Sequence, residues 1–241
     1  MKNQSWAFVL GALLAGPVVA GPADYVYTPI VEYGEREIDF KFGSAKSDGS
    51  SKQVSNLGFG YGATEYWFTE IYVKREREGD ARLTLVEWEN KFQLTETGKY
   101  PVDMGMIVEL ESPVNNGAEP YEFKFGPLLQ KEFGKVQLNT NLLLERKFGT
   151  GGPHITELGY QLQAKYRWQP SFEFGMQALG EVGEWNDWDD GDNQNHRIGP
   201  AVFGKFDLGN RHKIKYNAAW LVGSTPAAPD HTFRMQAEYE F

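Results

Sequence analysis

Apolar and polar residues alternate along most of this chain. Near its end, Phe233, Met235, Ala237, Tyr239 and Phe241 share one parity, and Arg234, Gln236, Glu238 and Glu240 share the other. A period of two puts successive side chains on opposite faces of an extended strand, so one face is apolar and the other polar. The same grammar recurs upstream. Ile38, Phe40 and Phe42 oppose Glu35, Glu37, Asp39 and Lys41; Trp67, Ile71 and Val73 oppose Glu70 and Lys74; Val86, Trp88 and Phe92 oppose Glu87, Glu89 and Lys91. In the second half, Leu158, Tyr160, Leu162, Tyr166 and Trp168 oppose Glu157, Gln161, Gln163, Lys165 and Arg167. No helical period competes after residue 21.

About twelve such segments of roughly ten residues are predicted, the length of a tilted strand crossing a bilayer. An even number returns both ends to one side. Connections near 43–51, 76–81, 112–120, 148–155, 184–195 and 223–231 are polar and rich in Gly or Pro, and are expected outside. Those near 62–65, 95–101, 131–135, 168–171 and 207–211 are mostly shorter and are expected to face the periplasm. Tyr25 to Tyr33 reads as extended, but Pro29 argues against a regular central strand. The apolar phase slips between Tyr33 and Ile38, which predicts a bulge or bend near Gly34. The predicted fold is all-β: a transmembrane antiparallel up-and-down barrel. A soluble sandwich would also alternate, but its strands centre near five or six residues.

The ending resembles the assembly signal of Gram-negative outer-membrane β-barrels, which close on a C-terminal Phe with aromatics at alternate positions before it. On that resemblance Phe233, Tyr239 and Phe241 form the assembly signal and the barrel-assembly machinery is a partner. In size the chain resembles the small twelve-stranded channels for acidic sugars. Thr28-Pro29-Ile30-Val31-Glu32-Tyr33-Gly34-Glu35 and Tyr61-Gly62-Ala63-Thr64-Glu65 are similar to stretches of outer-membrane barrels associated with transport beside aromatic-degradation pathways.

Composition agrees with a wall between oil and water. Aromatics make up 15% of the 241 residues, yet mean hydropathy is −0.51. Cysteine is absent, as suits an oxidising periplasm. The start of the chain has the form of a secretory signal: Lys2, an apolar run from Trp6 to Ala15, and small residues at Val18-Val19-Ala20. Residues 1–20 are therefore expected to be removed and 21–241 to form the barrel. Lys2 is the lone charge lost, so 23 basic and 33 acidic residues remain, a net −10. That balance argues against a nucleic-acid partner.

With lipid on the apolar face, the polar face lines a lumen. The candidate channel residues are Glu35, Glu37, Asp39, Lys41, Glu70, Lys74, Glu87, Glu89, Lys91, Glu109, Glu122, Lys124, Glu145, Lys165, Arg167, Glu181, Arg197, Lys213, Lys215, Arg234 and Glu238. Acidic members gather in the first half and basic ones from Lys165 onward, so a field across the lumen is expected. At the seam between first and last strands, Glu238 and Glu240 should meet Glu35, Glu37 and Asp39, with Lys41 and Arg234 offsetting them. Glu87 and Glu89 lie about 6.5–7 Å apart on one strand face, within the inverting-glycosidase range, but Lys91 and the many other carboxylates make a structural role the expected one. None of the four histidines has the nearby rim serine of outer-membrane phospholipases. An acid/His set at Asp187, Asp189, Asp190, Asp192 and His196 is the remaining enzyme candidate. The same loop, 186–193, does not match an EF-hand, since Gly191 stands fifth from Asp187 and the twelfth position is not Glu. It is read as a solvated acidic loop.

The function these readings predict is a monomeric outer-membrane channel passing small polar solutes, in contact with lipid and lipopolysaccharide, without enzymatic activity, cofactor or bound metal. The alternatives are a structural or adhesion barrel with a blocked lumen, and a hydrolase at the rim.

Overall fold

The computed structural model describes residues 21–114, 120–149 and 154–241; the expected signal segment 1–20 lies outside the described residues. The strands are β1 (Arg36–Ser47), β2 (Ser50–Thr64), β3 (Trp67–Glu78), β4 (Ala81–Gln93), β5 (Asp103–Pro113), β6 (Tyr121–Phe133), β7 (Val136–Phe148), β8 (Thr156–Gln169), β9 (Phe172–Glu184), β10 (Asp187–Trp188), β11 (Asn195–Gly209), β12 (His212–Gly223) and β13 (His231–Glu240). Twelve are long and pair antiparallel with the neighbour on each side, and β13 pairs with β1 to close the sheet into a barrel. The two-residue β10 only extends the β9 hairpin beyond the wall. Turns fall where the pattern breaks. Between β11 and β12, Asn210 and Arg211 both adopt positive φ, 52° and 70°, as a tight hairpin of the primed type requires. At Gly34 a turn with φ 77° precedes β1, so the phase slip marks the entry to the first strand.

The two faces of the wall differ as the alternation predicts. Ile71, Leu57, Trp88, Phe174, Ile198 and Trp220 stand exposed on the outside, whereas Asp39, Glu70, Glu89, Asn139, Asn141 and Gln177 are buried inside. A soluble barrel would show the opposite arrangement. An apolar band of this extent is stable when hydrocarbon covers it. Both faces stay continuous at the seam, where Glu37 pairs with Glu240, Ile38 with Tyr239 and Asp39 with Glu238. The last residue adds one more rung, Phe241 N–H donating to Arg36 O at 2.9 Å.

Residues 21–35 do not join the wall. They run through the lumen from the level of Gly43 in β1 to the entry of that strand. Ala23, Val26 and Tyr27 are buried there. Val26 packs with Leu179, Ala201, Phe203, Ala219 and Leu221 from β9, β11 and β12. Tyr27 packs with Ile107, Leu128 and Leu143 from β5, β6 and β7. Successive residues thus touch different sides of the barrel, so the segment crosses it. The wall is recessed where it passes. A Cβ on Gly43 would lie 2.1 Å from the Pro22 carbonyl group, and one on Gly62 would lie 2.0 Å from Glu32 O. Neither position could carry a side chain with the segment in place.

Gly43→Leu should therefore displace the start of the segment without opening the barrel. The expected outcome is faster proteolytic cleavage between residues 21 and 35, with the heat-modifiable gel mobility of the folded barrel retained.

Candidate functional site: the barrel lumen

Cross-strand register converts the alternating carboxylates into rows. One row reads Lys213, Glu240, Glu37, Gly60, Glu70, Glu89, Glu109, Lys124, Glu145, Glu157 and Glu184, each directly opposite the next. The adjacent row reads Lys215, Glu238, Asp39, Gly58, Tyr72, Glu87, Glu111, Glu122 and Lys147. Because barrel strands tilt, a row perpendicular to them climbs the wall. The acidic rows accordingly wind from the short-turn end, at β12 and β13, to the long-loop end at β7 to β9.

Lysines placed within these rows neutralise part of them. Lys124 lies 3.2 Å from Glu109, 3.7 Å from Glu122 and 3.6 Å from Glu145. Lys74 lies 2.8 Å from Glu111 and 3.5 Å from Glu76. Lys41 is the most enclosed. Its ammonium sits 3.7 Å from the centre of the Tyr25 ring and 3.8 Å from that of Tyr72, with Asp39 at 3.5 Å and Glu89 at 3.8 Å. Tyr72 in turn donates to Asp39 at 2.7 Å, and Tyr25 to Glu89 at 3.1 Å. The seam departs from expectation in one respect. Lys41 does reach Asp39, but Arg234 donates to Asn217 instead. The cations that meet the crowded carboxylates come from β12: Lys213, 3.1 Å from Glu240, and Lys215, 3.3 Å from Glu35, 3.7 Å from Glu238 and also paired with Glu240. Register explains this, since Lys213 stands opposite Glu240 and Lys215 opposite Glu238.

Across the lumen the lining changes from charges to amides. Gln130, Gln137, Asn139, Gln163 and Gln177 form a continuous hydrogen-bonded ladder over β6 to β9, its links 2.7 to 3.2 Å long. The N-terminal segment is stitched into both sides. Asn141 donates to Tyr27 O at 3.1 Å, Tyr27 N–H to Gln161 at 3.3 Å and Val31 N–H to Gln93 at 2.8 Å. The Tyr27 hydroxyl makes a short bond to Glu109. Asp24 places its charge near Arg197 and Arg234.

The segment separates two cavities. Toward the long loops lies one of only about 40 Å³, lined by Asp24, Lys124, Glu145, Glu157, Tyr160 and Glu181 among others. Toward the short turns a vestibule of about 530 Å³ opens. Glu35, Glu37, Glu70, Glu89 and Glu238 line it on β13, the entry to β1, β1 itself, β3 and β4, while Lys165, Arg167, Lys205, Lys215 and Arg234 line it on β8 and β11 to β13. Lys91 and Glu173 depart from that division, and Lys215 pairs with Glu35 and Glu238 across it, so charges of both signs are interleaved over part of this half of the lumen.

All twenty-one candidate channel residues are buried or half-buried on the inward face. Sequence reasoning missed the inward apolar residues that seat the segment. Their signal was available where alternation gives way to consecutive apolar residues, as at Met106-Ile107-Val108, Leu142-Leu143-Leu144 and Val202-Phe203. The rim residues do not form a catalytic set. The ring nitrogens of His196 meet Tyr160 at 3.0 Å and Gln194 at 2.8 Å. Among the described residues, the carboxylate groups that converge closely enough to hold a metal are Glu32/Glu35/Glu240 and Glu37/Glu238/Glu240, away from the 186–193 loop.

No family model matches the chain, and no curated protein matches it. Solved structures share its fold. An outer membrane channel from Pseudomonas putida F1 is 16% identical with TM-score 0.56, covering 92% of this chain and 99% of its own. The KdgM porin is 9% identical with TM-score 0.56, covering 85% and 99% respectively. The NanC porin is 9% identical with TM-score 0.54, covering 85% and 98%. At these identities the likeness is one of architecture: a closed twelve-stranded outer-membrane barrel.

Lys41 is buried, its side chain 2% exposed, and removing it strands Asp39 and Glu89. Lys41→Met is expected to cost about 3–5 kcal/mol, the range for breaking a buried pair. Lys99→Met, at the exposed pair with Glu96, should cost less than about 1 kcal/mol. Urea unfolding in detergent micelles or lipid vesicles measures both.

Proposed function

We propose that this chain is an outer-membrane channel for the passive passage of small polar solutes, narrowed by its own residues 21–35. The observation that carries the reading is a closed barrel with an apolar outside whose inside is mainly polar, apolar where residues 21–35 are seated, and opens into a charged vestibule. Its architectural likeness to outer-membrane channels and porins supports the same conclusion. By the rule for bacterial single-chain barrels, the short turns face the periplasm and the long loops the exterior. The vestibule is then periplasmic. We place the chain in the membrane as a monomer, with the aromatics Phe233, Tyr239 and Phe241 as the signal read by the assembly machinery.

The net −10 of residues 21–241 overstates the field a solute meets. Seven carboxylates and six cationic side chains line the vestibule, so the two signs nearly balance there. Only a weak preference for cations is expected. A second reading, a barrel with a blocked lumen, is favoured by the segment crossing the lumen and by the small outer cavity.

Planar-bilayer recording separates the two. The full chain should give small unitary steps with K⁺ modestly preferred over Cl⁻, and deleting residues 22–33 should enlarge them several-fold. Absence of steps from a folded preparation of both forms would sink the channel reading; steps from the deletion form alone would support the blocked barrel. For assembly, deleting Phe241 should reduce the amount of folded barrel recovered from outer membranes. Normal insertion without it would remove the role assigned to the terminal aromatic.

A further inference from the structure

The acidic rows contain two buried carboxylates, Glu37 and Glu70, that Lys91 and Lys41 influence without forming an ion pair. Glu37 is 7% exposed and makes no hydrogen bond or ion pair within 4 Å to any described residue. Glu70 is 2% exposed, and its Oε1 has no hydrogen-bond partner. Both line the vestibule. Register sets them on either side of Gly60 in β2, so no side chain of the intervening strand separates them. The Glu37 side chain instead approaches Gly60, Glu70 Oε1 approaches Gly58, and the rings of Phe68 and Tyr72 fold over these glycines. Carboxylates beside aromatic faces are the lining that an ammonium group requires, since both the negative charge and the ring quadrupole attract it.

The same wall already holds an ammonium group. Lys41 sits between Tyr25 and Tyr72 with Asp39 and Glu89 beside it, and Tyr72 is common to both places. Glu238, Glu70 and Glu35 lie near Glu37, as does Lys91, whose ammonium stands 4.9 Å from the centre of the Phe68 ring. Around Glu70, Glu89 and Asp39 act against Lys41.

We infer that the wall between Glu37 and Glu70 is a binding site for a small organic cation, an alkylammonium or diamine, entered from the periplasmic vestibule. This inference rests on the channel reading for its meaning in transport, but the site itself does not need the barrel to conduct. A linear diamine suits it, because its two ammonium groups can meet Glu37 and Glu70, which stand two strands apart across Gly60. An ammonium bound here is held by charge-assisted contacts and remains exchangeable with the vestibule.

Calorimetric titration of the folded, detergent-solubilised full chain with 1,4-diaminobutane at low salt tests the site independently of conduction. Saturable binding is expected with Kd below about 1 mM, weakened at least about tenfold in Glu37→Gln/Glu70→Gln. Asp187→Asn, in the exposed outer loop, should leave it unchanged. 1,4-Butanediol should not bind. Absence of saturable diamine binding, equal binding by the double variant, or displacement of the preference to Mg²⁺ would each overturn the proposal. In bilayers, diamine added on the short-turn side should reduce the K⁺ current of the full chain and not that of the double variant. Unitary steps indifferent to diamine would overturn the inference while leaving the channel intact. Calorimetric binding without any steps would instead overturn the channel reading alone.

Discussion

A β-sheet can cross a bilayer without an unpaired edge only if its last strand pairs with its first, and here that pairing sets Glu238 and Glu240 against Asp39 and Glu37. Backbone satisfaction dictates the join, and the join concentrates negative charge. Lys213 and Lys215 of β12 then become necessary, since they stand in register with the two glutamates of β13. Much of the remaining interior follows the same sequence of causes: closure determines register, register aligns like charges into rows, and cations one strand away interrupt the rows. Lys124, placed within an otherwise carboxylate-rich row, touches three glutamates for this reason.

A lumen this narrow must also be filled or wetted. Part of it is filled by side chains that satisfy one another, as in the amide ladder from β6 to β9. Another part is filled by residues 21–35, whose backbone needs partners wherever it is withdrawn from water. Gln161, Asn141 and Gln93 supply them. The apolar inward positions beneath Val26 and Tyr27 would be out of place in a water-filled pore. Under a resident segment they are ordinary packing. The segment and the wall are therefore matched in shape, through Gly43 and Gly62, as well as in polarity.

What is left open is instructive about solute chemistry. The outer cavity is small, whereas the vestibule is large and carries charges of both signs. The tyrosine and carboxylate groups around Lys41 show in miniature what this wall can hold.

Strand number and the parity of each face were legible in the chain, because a period of two needs only local order and each strand repeats it; the loops read at 43–51 and 76–81 are instead mostly strand, β1 running to Ser47, β2 starting at Ser50, β3 running to Glu78 and β4 starting at Ala81. Asn210 and Gly34 announced changes of direction by the same local means. The inward orientation of the candidate carboxylates was equally local. Which of them would stand opposite which was not, since a two-residue slip of any strand preserves its faces while changing all its partners. Hence Lys215, not Arg234, guards the seam. The place of residues 21–35 was also beyond local reading. Pro29 excluded a regular strand, but only the closed barrel supplied an interior for the segment to cross. The alternating sequence by itself determined a wall with one oily and one polar face; the tertiary structure decided the charge neighbours and the filling of the lumen, because both depend on register and closure between residues far apart in the chain.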